Sequence, residues 1–243
     1  ESSSISSPQW QDQVIYFLMI DRFSDGDSSN NDQGSGEFSP KKESHYNGGD
    51  LSGITQKLDY IEGLGATSIW ITPPVKNVWW SEASHYGGYH GYWAKDFAAL
   101  DPHVGTLEEY RQLASNLHQR GMYLIQDIVL NHTAPIFEYE GEYHPENTAE
   151  NFKLLGDPEA LFPTQFPFDQ ADRLNEKHAK AHIYNWTPSI SDFNSVEQQT
   201  RYQLGNLADL NTRSPEVLKA LKASYKYWMK EVGVDAFRVD TAK

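Results

Sequence analysis

The chain has 243 residues, 38% of them hydrophobic and 22% charged, enough for one large domain or two small ones around a substantial core. A net charge of −14 argues against nucleic acid or another polyanion as partner, and the lack of cysteine excludes disulfides, thiolate metal sites and cysteine nucleophiles. No run approaches the roughly 18 apolar residues of a membrane span, so no membrane partner is expected.

The opening Glu1-Ser2-Ser3-Ser4-Ile5-Ser6-Ser7-Pro8 reads as part of a flexible leader over 1–12. It suggests the trimmed N-terminus of a secreted protein, extracellular or periplasmic, whose signal peptide has gone. The near-continuous apolar run 13–20 predicts a parallel strand buried on both faces. A polar loop rich in Ser, Asn, Asp and Gly follows over 21–49. Asp50 is placed to cap a helix over 51–64, with Ile54, Leu58, Ile61 and Leu64 at helical spacing and Gly65 as the stop. Thr67 to Ile71 predicts the second strand, ended by Pro73-Pro74. A loop carrying Trp79 and Trp80 then runs to Gly105. Thr106 caps a helix over 107–120, and 122–130 predicts the third strand. Residues 133–205 show no sustained periodicity and are too many for a structureless loop in a compact domain, so they read as an inserted subdomain. Ser214-Pro215 starts an amphipathic helix that runs to Val232, and 234–240 predicts the fourth strand.

Strands alternating with helices imply parallel βαβ units, with long functional loops after the strands. That is the plan of a TIM (β/α)8 barrel. The expected fold class is therefore α/β, with the first four βα units of such a barrel in 13–132 and 206–243. The subdomain 133–205 is inserted after strand three.

The chemistry concentrates at the fourth strand. Side chains two apart on a strand share a face, so Arg238 and Asp240 lie together while Phe237 and Val239 take the other side. A guanidinium beside a carboxylate favours the ionised form. A positioned, ionised Asp at the carboxyl end of a barrel strand suits covalent catalysis at an anomeric carbon.

Five segments extend this reading. They are Gly65 to Pro73 on strand two, Tyr89-His90-Gly91-Tyr92-Trp93 in the following loop, Asp127-Ile128-Val129-Leu130-Asn131-His132 ending strand three, Leu207-Ala208-Asp209-Leu210-Asn211 before the third helix, and Phe237-Arg238-Val239-Asp240. In this order, on these elements, the chain resembles the α-amylase family (glycoside hydrolase family 13), bacterial α-amylases and cyclodextrin glycosyltransferases in particular. The resemblance covers roughly residues 10–243. It implies Asp240 as the nucleophile and Arg238 as the residue that orients it. It also implies His132 on hydroxyls of the sugar in the cleavage subsite, Tyr92 stacked on that ring, and His90, Asp127 and Trp93 in the same pocket. A pyranose presents hydroxyls at its rim and C–H groups on its faces, so polar side chains around an aromatic platform suit it.

The resemblance also implies calcium at one or two sites. The first joins Asn131 and Asp209, completed by a backbone carbonyl near Thr200 and another just after Lys243. The second is the loop Asp25, Asp27, Asn30 and Asn31, closed by Gly48 and Asp50. It is not an EF-hand, because Asn30 and Gly36 stand where that motif needs Gly and Glu. The expected function is retaining hydrolysis of α-1,4-glucosidic bonds in starch or maltodextrins, with an α-glucan or maltooligosaccharide as partner. Transglycosylation is the alternative within the family, and a non-catalytic carbohydrate-binding relative is the alternative outside enzymes. The family's general acid belongs to a fifth strand beyond Lys243, so the chain by itself is expected to be inactive. Glu138, Glu140 and Glu142 match no motif. Asn131-His132-Thr133 and Asn185-Trp186-Thr187 match the glycosylation sequon.

Overall fold

Four parallel strands position everything that follows: β1 (Ile15–Leu18), β2 (Ser68–Ile71), β3 (Tyr123–Val129) and β4 (Ala236–Asp240), hydrogen-bonded in that order. The computed structural model describes residues 5–242; Glu1 to Ser4 of the expected leader, and Lys243, lie outside the described residues. Helices α1 (Leu51–Gln56) and α2 (Leu58–Gly63) join β1 to β2, α3 (Leu107–Gln119) joins β2 to β3, and α4 (Pro215–Glu231) precedes β4. They pack on one face of the sheet, where Ile54, Ile61, Leu113 and Leu117 meet Ile69, Ile71 and Leu124 in a continuous apolar core. Thr106 and Glu109 form a reciprocal capping box that starts α3, a motif that contributes about 1 kcal/mol.

Most strands and helices match their sequence patterns; a short helix, Ile20–Phe23, replaces the end of the predicted first strand, and three further departures stand out. The helix predicted over 51–64 breaks into α1 and α2 at Lys57, whose backbone (φ −106°, ψ 10°) leaves the helical region. Leu51, Ile54, Leu58 and Ile61 all stay buried across the break, because each piece keeps its own apolar face inward. The first strand is not buried on both faces: Ile15 is 48% and Phe17 46% exposed, and Val239 on β4 is 36% exposed. These are the two edge strands; Val239 borders an open groove beside Leu221 and Tyr225 of α4. The stretch read as a loop after β2 contains an antiparallel pair, Val75–Asn77 with Ala94–Leu100. Its second strand is rich in Ala and charged residues, a composition of low β propensity, and is held in place by its partner.

The segment 133–205 is built from elements of three to six residues. Phe137–Tyr139 pairs with Phe152–Leu154, and short helices span Pro158–Leu161, Glu176–Ala181 and Val196–Arg201. Such lengths leave no periodicity to read. Aromatic packing organises them: Phe137 lies 5.1 Å from Phe152 and 5.5 Å from Trp186, and Phe168 meets Phe97 of the barrel at 4.9 Å. His132–Pro135 pairs antiparallel with Leu207–Asp209, so both ends of the segment return to the end of β3.

Candidate active site

The parallel pairing of β3 and β4 sets Asp127 directly beside Arg238. Arg238 Nη1 donates to both oxygens of Asp127 at 3.2 Å and to Asp240 Oδ1 at 2.7 Å, so one guanidinium nitrogen bridges two carboxylates. Asp127 is fully buried and accepts two more bonds, from Tyr92 Oη at 2.9 Å and Trp70 Nε1 at 3.0 Å. Burial pushes its carboxyl pKa up, while the bonds from Tyr92, Arg238 and Trp70 pull the other way. Asp127 is thus the anchor behind the site. Asp240 stands at the rim, its side chain 22% exposed.

Tyr92 and His90 come from the loop after β2. Gly91 turns between them at φ +86°, and a Cβ there would lie 2.1 Å from the carbonyl oxygen of Pro73, so only glycine fits. His90 Nδ1 accepts the Tyr92 backbone N–H at 3.0 Å, and the two rings stack at 5.7 Å with an interplanar angle of 23°. Trp93 is buried and meets the His90 ring edge-on at 4.7 Å, supporting the platform from behind. Burial first, then His132 and Arg22, lower the His90 pKa to about 4, which keeps its ring neutral as an acceptor at Nδ1 must be. Burial likewise lowers His132 to about 4, against the pull of Asp240 and the Tyr92 backbone. The Nε2 atom of His132 is buried and has no hydrogen-bond partner. A neutral imidazole with a free nitrogen beside Asp240 is suited to a hydroxyl of a bound ligand.

Sequence reasoning missed Trp70, which binds Asp127 and lies under the Arg238 guanidinium, 5.1 Å from ring centre to Cζ. Strand alternation held the signal, since Trp70 and Ser68 point away from the buried Ile69 and Ile71. Asn185 was missed as well: its Nδ2 donates to Asp209 Oδ2 at 2.7 Å. That amide, the acceptor of one sequon, is therefore committed inside the fold. Glu138 and Glu140 both pair with Lys153 on the hairpin of the inserted segment, away from Asp240.

The residues expected around the two cations lie in two groups. Asp209 is buried between the amides of Asn131 and Asn185, and burial raises its pKa to about 7. No basic side chain pairs with it among the described residues, so a cation fits this carboxylate. Thr200, in the helix Val196–Arg201, lines the same groove as Asn131; the donor expected after Lys243 lies outside the described residues. In the second loop Asp50 caps α1 through Gly53 N–H at 2.6 Å and accepts from Gly26, Asp27 and Asn30. Asn31 Nδ2 donates to Asp25 Oδ2 at 2.7 Å. The amide oxygens of Asn30 and Asn31 are buried without a donor, and Gly48 (φ +92°) packs where a Cβ would touch Asn31 Oδ1 at 2.7 Å. Two orphaned hard oxygens beside carboxylates fit calcium. Among the described residues no three His, Cys, Asp or Glu side chains gather as a metal cluster, so a cation at either place would depend on amide and carbonyl oxygens.

A parallel α/β sheet with an Arg-bridged carboxylate pair and an aromatic platform at the carboxyl ends of its strands defines the class: an α/β protein whose candidate site lies at the strand ends where TIM barrels carry theirs. The chain belongs to the alpha amylase catalytic-domain family, which matches residues 17–243. It is 37% identical over 234 residues to a cyclomaltodextrin glucanotransferase of Klebsiella oxytoca, covering 95% of this chain and 33% of the relative. It is 34% identical over 231 residues to an alpha-amylase of Streptomyces lividans, covering 85% of this chain and 25% of the relative. The crystal structure of an alpha-amylase from Geobacillus thermoleovorans complexed with acarbose superposes with a TM-score of 0.69 at 33% identity, over 97% of this chain and 41% of that one. The chain thus spans a third or less of the two curated relatives, and its sheet matches part of their family's catalytic barrel.

Proposed function

We propose that these residues form the nucleophile half of the active site of a retaining α-glucan-processing enzyme, within the first four units of a (β/α)8 barrel carrying an inserted subdomain. The observation that carries this reading is the Arg238 bridge, which holds Asp240 beside the unpartnered Nε2 of His132. A glucose ring stacked on Tyr92, with a hydroxyl on His132, presents its anomeric carbon to Asp240. The Asp240 oxygen forms the bond to that carbon as the glycosidic C–O bond breaks, and the leaving oxygen takes a proton from a general acid. Retaining enzymes need that second carboxyl about 5–5.5 Å from the first; the carboxyl that Arg238 sets near Asp240 is Asp127, which is buried and committed to Trp70, Tyr92 and Arg238, so the general acid is another group. It is assigned to the protein beyond Lys243. Water then releases the sugar from Asp240, or a sugar hydroxyl does so in the transglycosylase reading, which the glucanotransferase relatives support.

Calcium is part of the proposal. Asn131 and Asp209 hold one ion beside His132, and Asp25, Asn30, Asn31 and Gly48 hold another. When bound, the first neutralises Asp209 and ties the inserted segment to the end of β3.

The test is maltohexaose cleavage by the full-length product of the gene that carries these residues, with Asp240→Asn alongside and the products separated into linear and cyclic. Loss of turnover in Asp240→Asn, with folding intact, supports the nucleophile assignment. Turnover that survives the substitution refutes it. Cyclic products select the transglycosylase.

A further inference from the structure

Beyond its charge near His90, Arg22 has no role in the site described above, yet it lies where the polar loop after β1 meets the sugar platform. Its Nη2 donates to the carbonyl oxygens of both Glu43 and His45 at 2.8 Å. Its Nε lies 2.8 Å from Asp21 Oδ2, an ion pair without hydrogen-bond alignment. Its guanidinium covers the face of Tyr89, with Cζ 3.7 Å from the ring centre. Asp21 completes the arrangement: its carboxylate is buried and accepts the backbone N–H of Asn47 at 2.9 Å and of Gly48 at 3.2 Å. Burial drives the Asp21 pKa up to about 6 despite these donors and Arg22.

Two loops distant in sequence are thereby joined. Segment 43–48 is gathered on one side by Arg22 and Asp21, and Gly87 N–H donates to Ser44 O at 2.7 Å on the other. From Tyr89 the contact continues inward. Tyr89 meets the His90 edge at 5.6 Å, His90 stacks on Tyr92, and the Tyr92 hydroxyl reaches Asp127. Arg22 is 24% exposed and partly desolvated, a setting in which a cation over an aromatic face is stronger than at the surface. The guanidinium is also needed geometrically. One planar fork serves two carbonyls, a carboxylate and a ring face, which a lysine ammonium cannot do together.

We propose that Arg22 is a positioning residue for substrate: by clamping the 43–48 loop to the face of Tyr89 it fixes the Tyr89–His90–Tyr92 platform at the angle that receives the sugar ring. The inference rests on the functional reading above, in which Tyr92 stacks on the sugar. Arg22 acts through Tyr89 and touches no reacting atom. Stacking acts on substrate and transition state alike, so its loss raises KM more than it lowers kcat.

The experiment uses the full-length gene product and maltohexaose, with Arg22→Met, Arg22→Lys, Tyr89→Leu and the double variant Arg22→Met/Tyr89→Leu. Arg22→Met is expected to raise KM about tenfold, the scale of one lost cation–π contact, with a smaller change in kcat. Arg22→Lys keeps the charge and loses the fork, so it recovers part of that loss. The double variant is expected to be no worse than the poorer single one, because both remove the same contact. An Arg22→Met enzyme with the wild-type KM overturns the proposal, as do losses that multiply in the double variant. If Arg22→Met fails to fold, Arg22→Lys and Tyr89→Leu decide the matter, and wild-type KM in both overturns it. A wild type that does not cleave maltohexaose, or a Tyr92→Ala variant with unchanged KM, sinks the functional reading itself. That outcome is distinct from a working enzyme indifferent to Arg22.

Discussion

Asp127→Asn preserves shape and removes one charge, which isolates what the buried carboxylate does. Its two oxygens accept four contacts, from Trp70, Tyr92 and twice from Arg238. An asparagine keeps one acceptor oxygen and turns an N–H₂ group toward the remaining donors. A lost bond to a charged partner costs about 1.5–3 kcal/mol, and a buried donor left facing another donor about 1–3 kcal/mol. Against these stands the desolvation of the carboxylate itself, visible in its raised pKa, and the 38% exposure of Arg238, which lets water take over part of its bonding. The net expectation is a destabilisation of about 2–4 kcal/mol, or roughly 5–12 °C in Tm for a chain of this size. Thermal unfolding followed by near-UV circular dichroism reads it, with Asp240→Asn as the control. Asp240 is partly exposed and makes one short bond to Arg238, so its substitution is expected to cost less than about 1 kcal/mol. A Tm for Asp127→Asn within about a degree of wild type, or a larger drop in Asp240→Asn, refutes the assignment of Asp127 as anchor.

His103 is buried with Nδ1 2.7 Å from Asp101 and Nε2 2.9 Å from Glu37; burial alone lowers its pKa, but the two carboxylates outweigh burial and raise it. Its stabilising contribution is therefore complete below the unfolded value of about 6.5 and lost as pH rises through the higher folded value. Tm measured across the alkaline side should fall less steeply in His103→Gln, and an unchanged slope counts against the pairing. His132 has the opposite sign. Its folded pKa, lowered to about 4, means stability present above 6.5 is lost as pH falls from there toward 4, and His132→Gln should flatten that acid limb; equal limbs contradict a buried neutral ring. Chelation should lower the wild-type Tm, and Asn31→Ala should weaken the recovery on adding calcium, because the orphaned amide oxygen is removed. A Tm indifferent to chelator in both proteins argues against the cation loops.

Much of the architecture was legible because it is local. Apolar runs at the strands, helical spacing in 107–119 and 215–231, and the Thr106–Glu109 box each specify an element within a few neighbouring residues. Arg238 and Asp240 were legible for the same reason, since strand alternation alone puts them on one face. The boundaries and depth were not. Exposure of Ile15 and Val239 depends on what lies across a sheet edge, and the strand Ala94–Leu100 exists only through its pairing with Val75–Asn77. The deeper roles needed the fold as well. Motif position set Asp127 in the sugar pocket without saying at what depth; the structure buries it beneath Arg238, Tyr92 and Trp70, because three segments converge on it from up to 111 residues away along the chain. The partners of Asp209, Arg22 and His103 belong to the same kind. A local pattern determines which residue types an element carries and which way they point. What each charge faces once water is excluded is a property of the packed tertiary structure, and it decides whether a carboxylate serves as anchor, nucleophile or cation ligand.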